Sequence, residues 1–429
     1  MRRLPEILPL MFVAMTAAAL GATLGASEEQ KLGKHFEINP QALPAPRSTP
    51  SSSNSSEIIA RAPGQAPLVP AGFHAALFAE GLEHARWLAV AENGDVFLAE
   101  PDADKVTLLR DANGDGRAEM KTTFARGFAR PHGLAFHDGA LYVADTEAVW
   151  RIPYKAGDTK AAARTRVTQD SFGGGGHWTR DIAFDSKGRL YIAIGSANNV
   201  AEDKPPRATV QLVEKGRLRT FAAGLRNPVG IAVYPGSDTV FVTVNERDNL
   251  GDGLVPDYLT HVVAGGFYGW PYAYIGHHPD PDFGRKRPDL VAKAITPDLL
   301  FEAHSAPLGL VFYEGNQFPA SYRGDAFVAL HGSWNAARPL GYKIVHVRFR
   351  DGRPAGGYDN FAVGFWKQEE PARTSVARGV TNALGLTSAN AQPAKVWGRP
   401  AGLAVAKDGS LLVADDVGNA VWRIAYTGK

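Results

Sequence analysis

Residues 171–200, SFGGGGHWTRDIAFDSKGRLYIAIGSANNV, decide the fold. A glycine-rich approach delivers His177, Thr179, Arg180 and Asp181 to the head of a short apolar run at 182–184. The turn Asp185-Ser186-Lys187-Gly188 follows, then a second apolar run at 190–194 and a polar tail at 196–199. Two β-branched or aromatic runs around a turn containing glycine predict a β-hairpin. Working outward, first strands of the same kind are predicted at 87–90, 133–136, 181–184, 230–233, 309–312 and 402–405, each with a second strand close behind. From Leu88 to Leu134, Ile182 and Ile231 the steps are 46, 48 and 49 residues. A period in the forties with several strands per unit marks a propeller blade. Later steps of 79 to Leu310 and 93 to Leu403 carry insertions, at 245–306 and 350–396. The expectation is an all-β, six-bladed propeller. Further strands at 105–109, 148–152, 343–349 and 420–425 read as outer strands, and a strand at 73–78 is available to complete the last blade.

The composition fits a soluble globular protein, at 45% hydrophobic and 21% charged residues. A net charge of +2 gives no sign of a nucleic-acid partner. Cysteine is absent, which excludes disulfides, thiolate catalysis and Cys-based metal sites. Arg2 and Arg3 followed by an apolar run and small residues predict a signal peptide at 1–26, and hence an exported, periplasmic or secreted protein. An uncleaved anchor is the alternative, since the run approaches the roughly 20 residues that span a bilayer. No later segment is apolar enough to span. Residues 27–69, rich in Pro, Ser and Ala, read as a linker with too few large apolar groups to pack, leaving 70–429 as the propeller.

In a propeller the innermost strands line a central channel, and the loops leading into them surround its mouth. Those loops carry His84, Arg86, Arg130, His132, His177, Arg180, Arg226, Asn227, His304, Ser305 and Arg399. A bowl of guanidinium groups suits a small polyanion. Arginine and aspartate at repeat positions also bridge neighbouring blades, so each arginine alone has that structural reading. Two acidic stretches are candidate metal sites. Asp111, Asn113 and Asp115 alternate as in a calcium loop, although the twelfth position is Thr122 and a plain turn explains them equally well. Arg247 and Asp248 lie in the polar loop 245–249 at the expected mouth, where carbonyls and carboxylates could hold a hard cation or form an ion-pair network. The pair His277-His278 reads as a surface loop.

The segments GHWTRDIAF, GLRNPVGIAVYP, VNERDNLGD, PDYLTHVVAGGFYGWPYAYIG, HSAPLGLVFYEGNQFP, GDAFVALHGSWN, GYKIVHV and GRPAGLAVAKDGSLLVADDVGNAVWRI together resemble the sorbosone dehydrogenase-like branch of the soluble quinoprotein sugar dehydrogenases. The resemblance runs from about residue 70 to the end. It implies a six-bladed propeller that holds pyrroloquinoline quinone (PQQ) over its channel with Ca2+ and oxidises aldoses or related sugar aldehydes, passing electrons to an acceptor such as a cytochrome or quinone. By position it implies His177 as the base, Arg226, Asn227 and Arg399 as cofactor ligands, and the backbone carbonyls of Arg247 and Asp248 as ligands of the cofactor's calcium. The second cofactor arginine of the family is Ala401 here. The glucose-oxidising relatives also carry a lysine where this chain has His331-Gly332-Ser333-Trp334, so His331, Asn335 or Arg338 is expected to replace its contacts. Two other classes remain open: a calcium-dependent lactonase-type hydrolase and a non-catalytic binding propeller.

Overall fold

In five blades the second strand of the hairpin is an uninterrupted apolar run buried on both faces or nearly so, as in Val96–Glu100, Leu190–Ile194, Ala326–Leu330 and Leu411–Asp415. Such a strand needs a partner on each side and a sheet above and below. The computed structural model, which describes residues 26–367 and 393–428, supplies both through six antiparallel sheets set around an axis. Their inner strands are Trp87–Val90, Leu134–His137, Arg180–Phe184, Asn227–Val233, Pro307–Phe312 and Pro400–Val405. These touch one another in chain order, and the sixth returns to the first. The last blade is completed by Phe73–Glu80, which pairs with Ala420–Tyr426 so that Phe73 faces Tyr426 and Glu80 faces Ala420. That closure leaves the ring no seam held by loops alone.

The decisive hairpin forms, with Arg180 opposite Ile194 and Phe184 opposite Leu190. The strands at Lys105–Arg110, Val149–Pro153, Lys343–Val347 and Ala420–Tyr426 are third strands rather than outer ones. The fourth strands of blades 1, 2 and 3, Met120–Arg126, Thr165–Arg166 and Arg217–Ala223, are largely solvated and polar, so they carry little apolar periodicity. Blades pack through interleaved side chains. Phe97, Phe124, Leu141, Val143 and Ile152 fill the space between blades 1 and 2 and meet Val229, Leu308 and Ala401 from three other inner strands. Each fully buried large apolar side chain of this kind contributes about 1.5–3 kcal/mol.

Residues 27–69 are not an unpacked linker. His35–Phe36 adds a strand to blade 5 opposite Tyr358 and Asp359, and Phe36 stacks on Tyr358 at 5.1 Å. Glu57–Ile58 pairs in parallel with Lys395–Val396. Glu29 meets the wholly buried ammonium of Lys343 at 2.5 Å. Side-chain composition cannot register this, because an extended segment docks through its backbone N–H and C=O groups. The leader expected at 1–26 lies, but for Ala26, outside the described residues, as does 368–392 of the second insertion. Among the described residues no helix is long and apolar enough to cross a membrane.

A recurrent carboxylate ties the loops to the blades. At the end of the second strand, Glu100 accepts from the Glu83 amide, Asp145 from Ala129, and Asp415 from Arg399, each residue lying in the loop that enters an inner strand. Asp145 and Asp415 also accept from the indoles of Trp150 and Trp422 on the third strands. The loops before the inner strands and after the second strands therefore share one face, while the hairpin turns lie on the other.

Candidate active site

On the loop-bearing face three of the entering loops hold a non-glycine residue in the left-handed region: His84 at φ 55°, Arg130 at 54° and His304 at 67°. Such conformations are uncommon outside glycine and gather where a fold aims side chains at a fixed point. Around the mouth the expected residues come together in an arc.

His177 is half-buried. Its Nδ1 lies 2.8 Å from Ser196 Oγ and 3.0 Å from the Ser196 carbonyl. The Ser196 hydroxyl already donates to the Asn198 carbonyl at 2.7 Å, and a carbonyl only accepts. Nδ1 must therefore carry the proton, leaving the Nε2 lone pair, which has no partner among the described residues, open. Burial, and then the nearby Arg226, Arg207 and Arg180, pull the imidazole down to about 3, so it is neutral at any physiological pH. A neutral ring with one fixed N–H and one open lone pair is a general base in form.

The positive charge beside it is held mainly by carbonyls. Arg180 donates to His177 O, Thr179 O and Gly173 O, and Arg207 to His177 O, Ser196 O and Gly173 O. Neither forms an ion pair with a carboxylate among the described residues, and the Nε of each is buried without a partner. Burial lowers the pKa of both guanidiniums, and in Arg180 the proximity of Arg207 adds to it. Arg226, buried at the head of blade 4, spends Nε and both Nη1 hydrogens on the carbonyls of Asn199, Asn245 and Glu246, and one Nη2 hydrogen on Asn199 Oδ1. One N–H of five is left, facing Asp248 at 3.9 Å. Asn227 Oδ1 is buried without a partner. Gly195 explains how these groups approach one another: a Cβ there would overlap Asn227 Oδ1 and stand 2.8 Å from His177 Cβ.

The arc continues through Asp248, which accepts from Asn335 Nδ2 and lies 3.7 Å from His304 Nδ1. Asn335 also sits 3.0 Å from that nitrogen. Arg338 follows on the same loop and is exposed. Arg399 donates to the carbonyls of His331 (2.9 Å) and Gly332 (2.6 Å), and its other three N–H donors have no partner among the described residues. His331 Nε2 lies 2.9 Å from Asp416, and burial followed by Arg399 takes the ring down to about 3, so it is neutral and donates. Against the burial that would raise it, Asp416 stays ionised, held well below the carboxylate range by His331 and Arg86. Arg86 pairs with Asp416 across blades 1 and 6, so for this arginine the bridging role is the observed one.

Not every expected residue joins the arc. The Arg247 side chain turns away to Asp280 (2.5 Å) and Asp282 (3.3 Å), and its Nε rests on the Asp248 carbonyl at 3.2 Å. Asp111 and Asp115 converge with Glu119, while Asn113 turns its amide to Asp115 and its carbonyl to the Asp115 amide. That cluster lies in the turn between the third and outer strands of blade 1, on the opposite face, and cannot belong to the same centre as His177. Asp111 is already satisfied by the amides of Gly114 and Gly116, which is the plain-turn reading. Sequence reading did not single out Arg207, Trp178 or Asp416. Arg207 had no repeat position to flag it, whereas Trp178 stood beside His177.

Comparison with known proteins gives the family and the fold. A family model described as TrAA12-like matches residues 67–255 and 290–427. The "Pyrroloquinoline quinone-dependent pyranose dehydrogenase" of Coprinopsis cinerea is 26% identical over 82% of this chain and 54% of its own length, so the chain spans about half of that relative. The holo form of the pyranose dehydrogenase PQQ domain from the same fungus superposes with a TM-score of 0.67 at 20% identity, over 86% of this chain and 99% of that one. The calcium structure of the Trichoderma reesei family AA12 enzyme gives 0.65 at 19% identity, over 84% and 97%. At those identities the superpositions establish the propeller.

Proposed function

Because the chain belongs to the TrAA12-like family, we propose that it is a quinoprotein dehydrogenase that oxidises an aldose or a sorbosone-like sugar aldehyde with PQQ and Ca2+, with His177 as the general base. The observation that carries the reading is the neutral His177, its lone pair open, set among arginines whose partners are carbonyls rather than carboxylates. A site built this way holds uncompensated positive charge and fits a planar quinone with three carboxylates. Arg399, with three donors unpartnered among the described residues, is the strongest candidate anion ligand. Arg226 offers one N–H, and Asn227 an amide whose oxygen lacks a partner. The carbonyls of Arg247 and Asp248 are the candidate calcium ligands. The Asp280 carboxylate neutralises the Arg247 guanidinium at 2.5 Å and lessens its repulsion of a cation there. Asn335 and His331 act from the neighbouring loop, and exposed Arg338 stands at its outer end.

When bound, PQQ serves as the hydride acceptor for the sugar carbon, polarised by the divalent cation. The protein's own part is to bind and to move one proton. His177 Nε2 takes the proton from the sugar hydroxyl, Ser196 fixes the tautomer, and burial, helped by Arg226, Arg207 and Arg180, holds the ring neutral before the transfer. The leader expected at 1–26 supports export, and the electron acceptor would then be a cytochrome or quinone met outside the cytoplasm. The lactonase reading has less support: among the described residues the one group of three acidic or imidazole ligand atoms within 4.8 Å is Asp111, Asp115 and Glu119, on the opposite face. The test is to add PQQ and Ca2+ to purified protein and follow reduction of an artificial dye across a panel of aldoses and sugar aldehydes. Dye reduction that needs PQQ is the expected result. No reduction with any sugar, together with no PQQ-induced thermal shift, would leave a non-catalytic binding propeller.

A further inference from the structure

Beside the arc, on the same face, a cleft of about 530 Å³ opens between blades 2 and 3. Its walls come from the loop after blade 2's second strand, which brings Glu147, and from the approach to blade 3, which brings Gln169, Ser171, the glycines before His177, and Trp178. It is fastened to the base: Arg180, which lines it, donates to both the Gly173 and His177 carbonyls. Trp178 is held rigidly. The Arg130 guanidinium lies 4.0 Å from its ring centre, and buried His132 meets it edge-on at 5.5 Å and 87°.

The donors and acceptors left open define the ligand. Of the cleft's two arginines, Arg180 gives three N–H donors to carbonyls, while exposed Arg166 gives two, to the carbonyls of Thr168 and Glu147, and has three left among the described residues. The Glu147 carboxylate and the Gln169 amide have no side-chain partner among the described residues, and both are exposed. The open Arg166 donors and the bare Glu147 carboxylate offset each other in charge, so the wall offers both donors and acceptors rather than a field of one sign. An indole with an open carboxylate and amide around it suits a neutral ligand with C–H faces and many hydroxyls. The volume exceeds the needs of a single pyranose.

We propose that this cleft is a carbohydrate subsite, with Trp178 as its stacking platform, that binds sugar units of a neutral oligosaccharide other than the unit being oxidised. The inference rests on the sugar-oxidising reading above, and makes the preferred substrate an oligosaccharide end rather than a free monosaccharide. A platform already fixed by Arg130 and His132 loses little freedom on binding.

Binding is measured by calorimetry on cofactor-free protein with glucose, maltotriose, cellotriose and xylotriose. At least one trisaccharide should bind tenfold or more tighter than glucose. Trp178→Ala should remove that advantage, Trp178→Phe should retain part of it, and Glu147→Gln, at an exposed position that does not threaten folding, should weaken the trisaccharide several-fold. With PQQ and Ca2+ restored, the trisaccharide-to-glucose ratio of kcat/KM should fall in Trp178→Ala by the same factor. Equal binding of glucose and all three trisaccharides, or unchanged trisaccharide affinity in both Trp178→Ala and Glu147→Gln, overturns the subsite. Trisaccharide binding without PQQ-dependent dye reduction would instead retain the subsite and remove the dehydrogenase reading.

Discussion

Asp416 is the point where the arc depends on a single carboxylate. Arg86, buried, has no other acidic partner among the described residues, and His331 donates to the same group while its own carbonyl supports Arg399. Replacing Asp416 by Asn keeps the shape and removes the charge, so the Arg86 guanidinium is left in the interior without a counterion. Breaking one side of a buried ion pair costs about 3–5 kcal/mol. The entropy of unfolding for a chain of this size is roughly 0.8 kcal/mol per kelvin, so a loss of about 4 kcal/mol lowers Tm by about 5 °C. Asp416→Asn should show that drop in differential scanning calorimetry, and adding Arg86→Gln should restore most of it, because two neutral amides can face each other. A single mutant with unchanged Tm, or a double mutant no better than the single, would refute the claim that this charge pair closes blades 1 and 6.

His177 yields a prediction in pH. Its folded value of about 3 lies below the unfolded value of about 6.5, so the unfolded chain takes a proton that the native state declines. Its stabilising contribution is complete above pH 6.5 and drains as pH falls toward 3, at up to about 1.4 kcal/mol per unit; by NMR its ring should not titrate between pH 8 and 5, and a midpoint near 6.5 contradicts this. Gly195→Ala should push Asn227 and His177 apart, lowering PQQ affinity and dye reduction at least tenfold, with far-UV circular dichroism unchanged; full activity would show that the close approach is irrelevant. Glu29→Ala should destabilise by about 1–3 kcal/mol rather than the 3–5 typical of a broken buried pair. Glu302, pushed up to about 7 by burial and then by Glu29, can ionise once Glu29 is gone and take over Lys343 at 3.7 Å. A chemical denaturation curve identical to wild type would mean that residues 27–36 do not dock.

What the residues disclosed in advance follows their burial. Second strands and most inner strands are buried on both faces, so their apolar runs stood out in six copies, and ring closure by Phe73–Glu80 could be read from one extra run. Outer strands such as Met120–Arg126 are half solvated and left little pattern. The docking of residues 27–69 rests on backbone hydrogen bonds and on isolated side chains such as Phe36 and Glu29, which composition averages away. At the site, position in the repeat located His177, Arg226, Asn227 and Arg399. It could not tell which arginines bridge blades, as Arg86 does, from those left facing carbonyls, nor reveal Arg207, whose role comes from a loop outside the repeat.

The central claim, that unlike side chains from several blades form one PQQ site with His177 as its base, is tested most directly by titrating PQQ into the wild type and two variants and following the absorbance spectrum and dye reduction together. His177→Ala should bind PQQ with an affinity close to wild type and reduce no dye, while Arg399→Ala should bind it at least tenfold more weakly. Wild-type dye reduction in both variants, or a wild type that leaves the PQQ spectrum unchanged, would contradict the account.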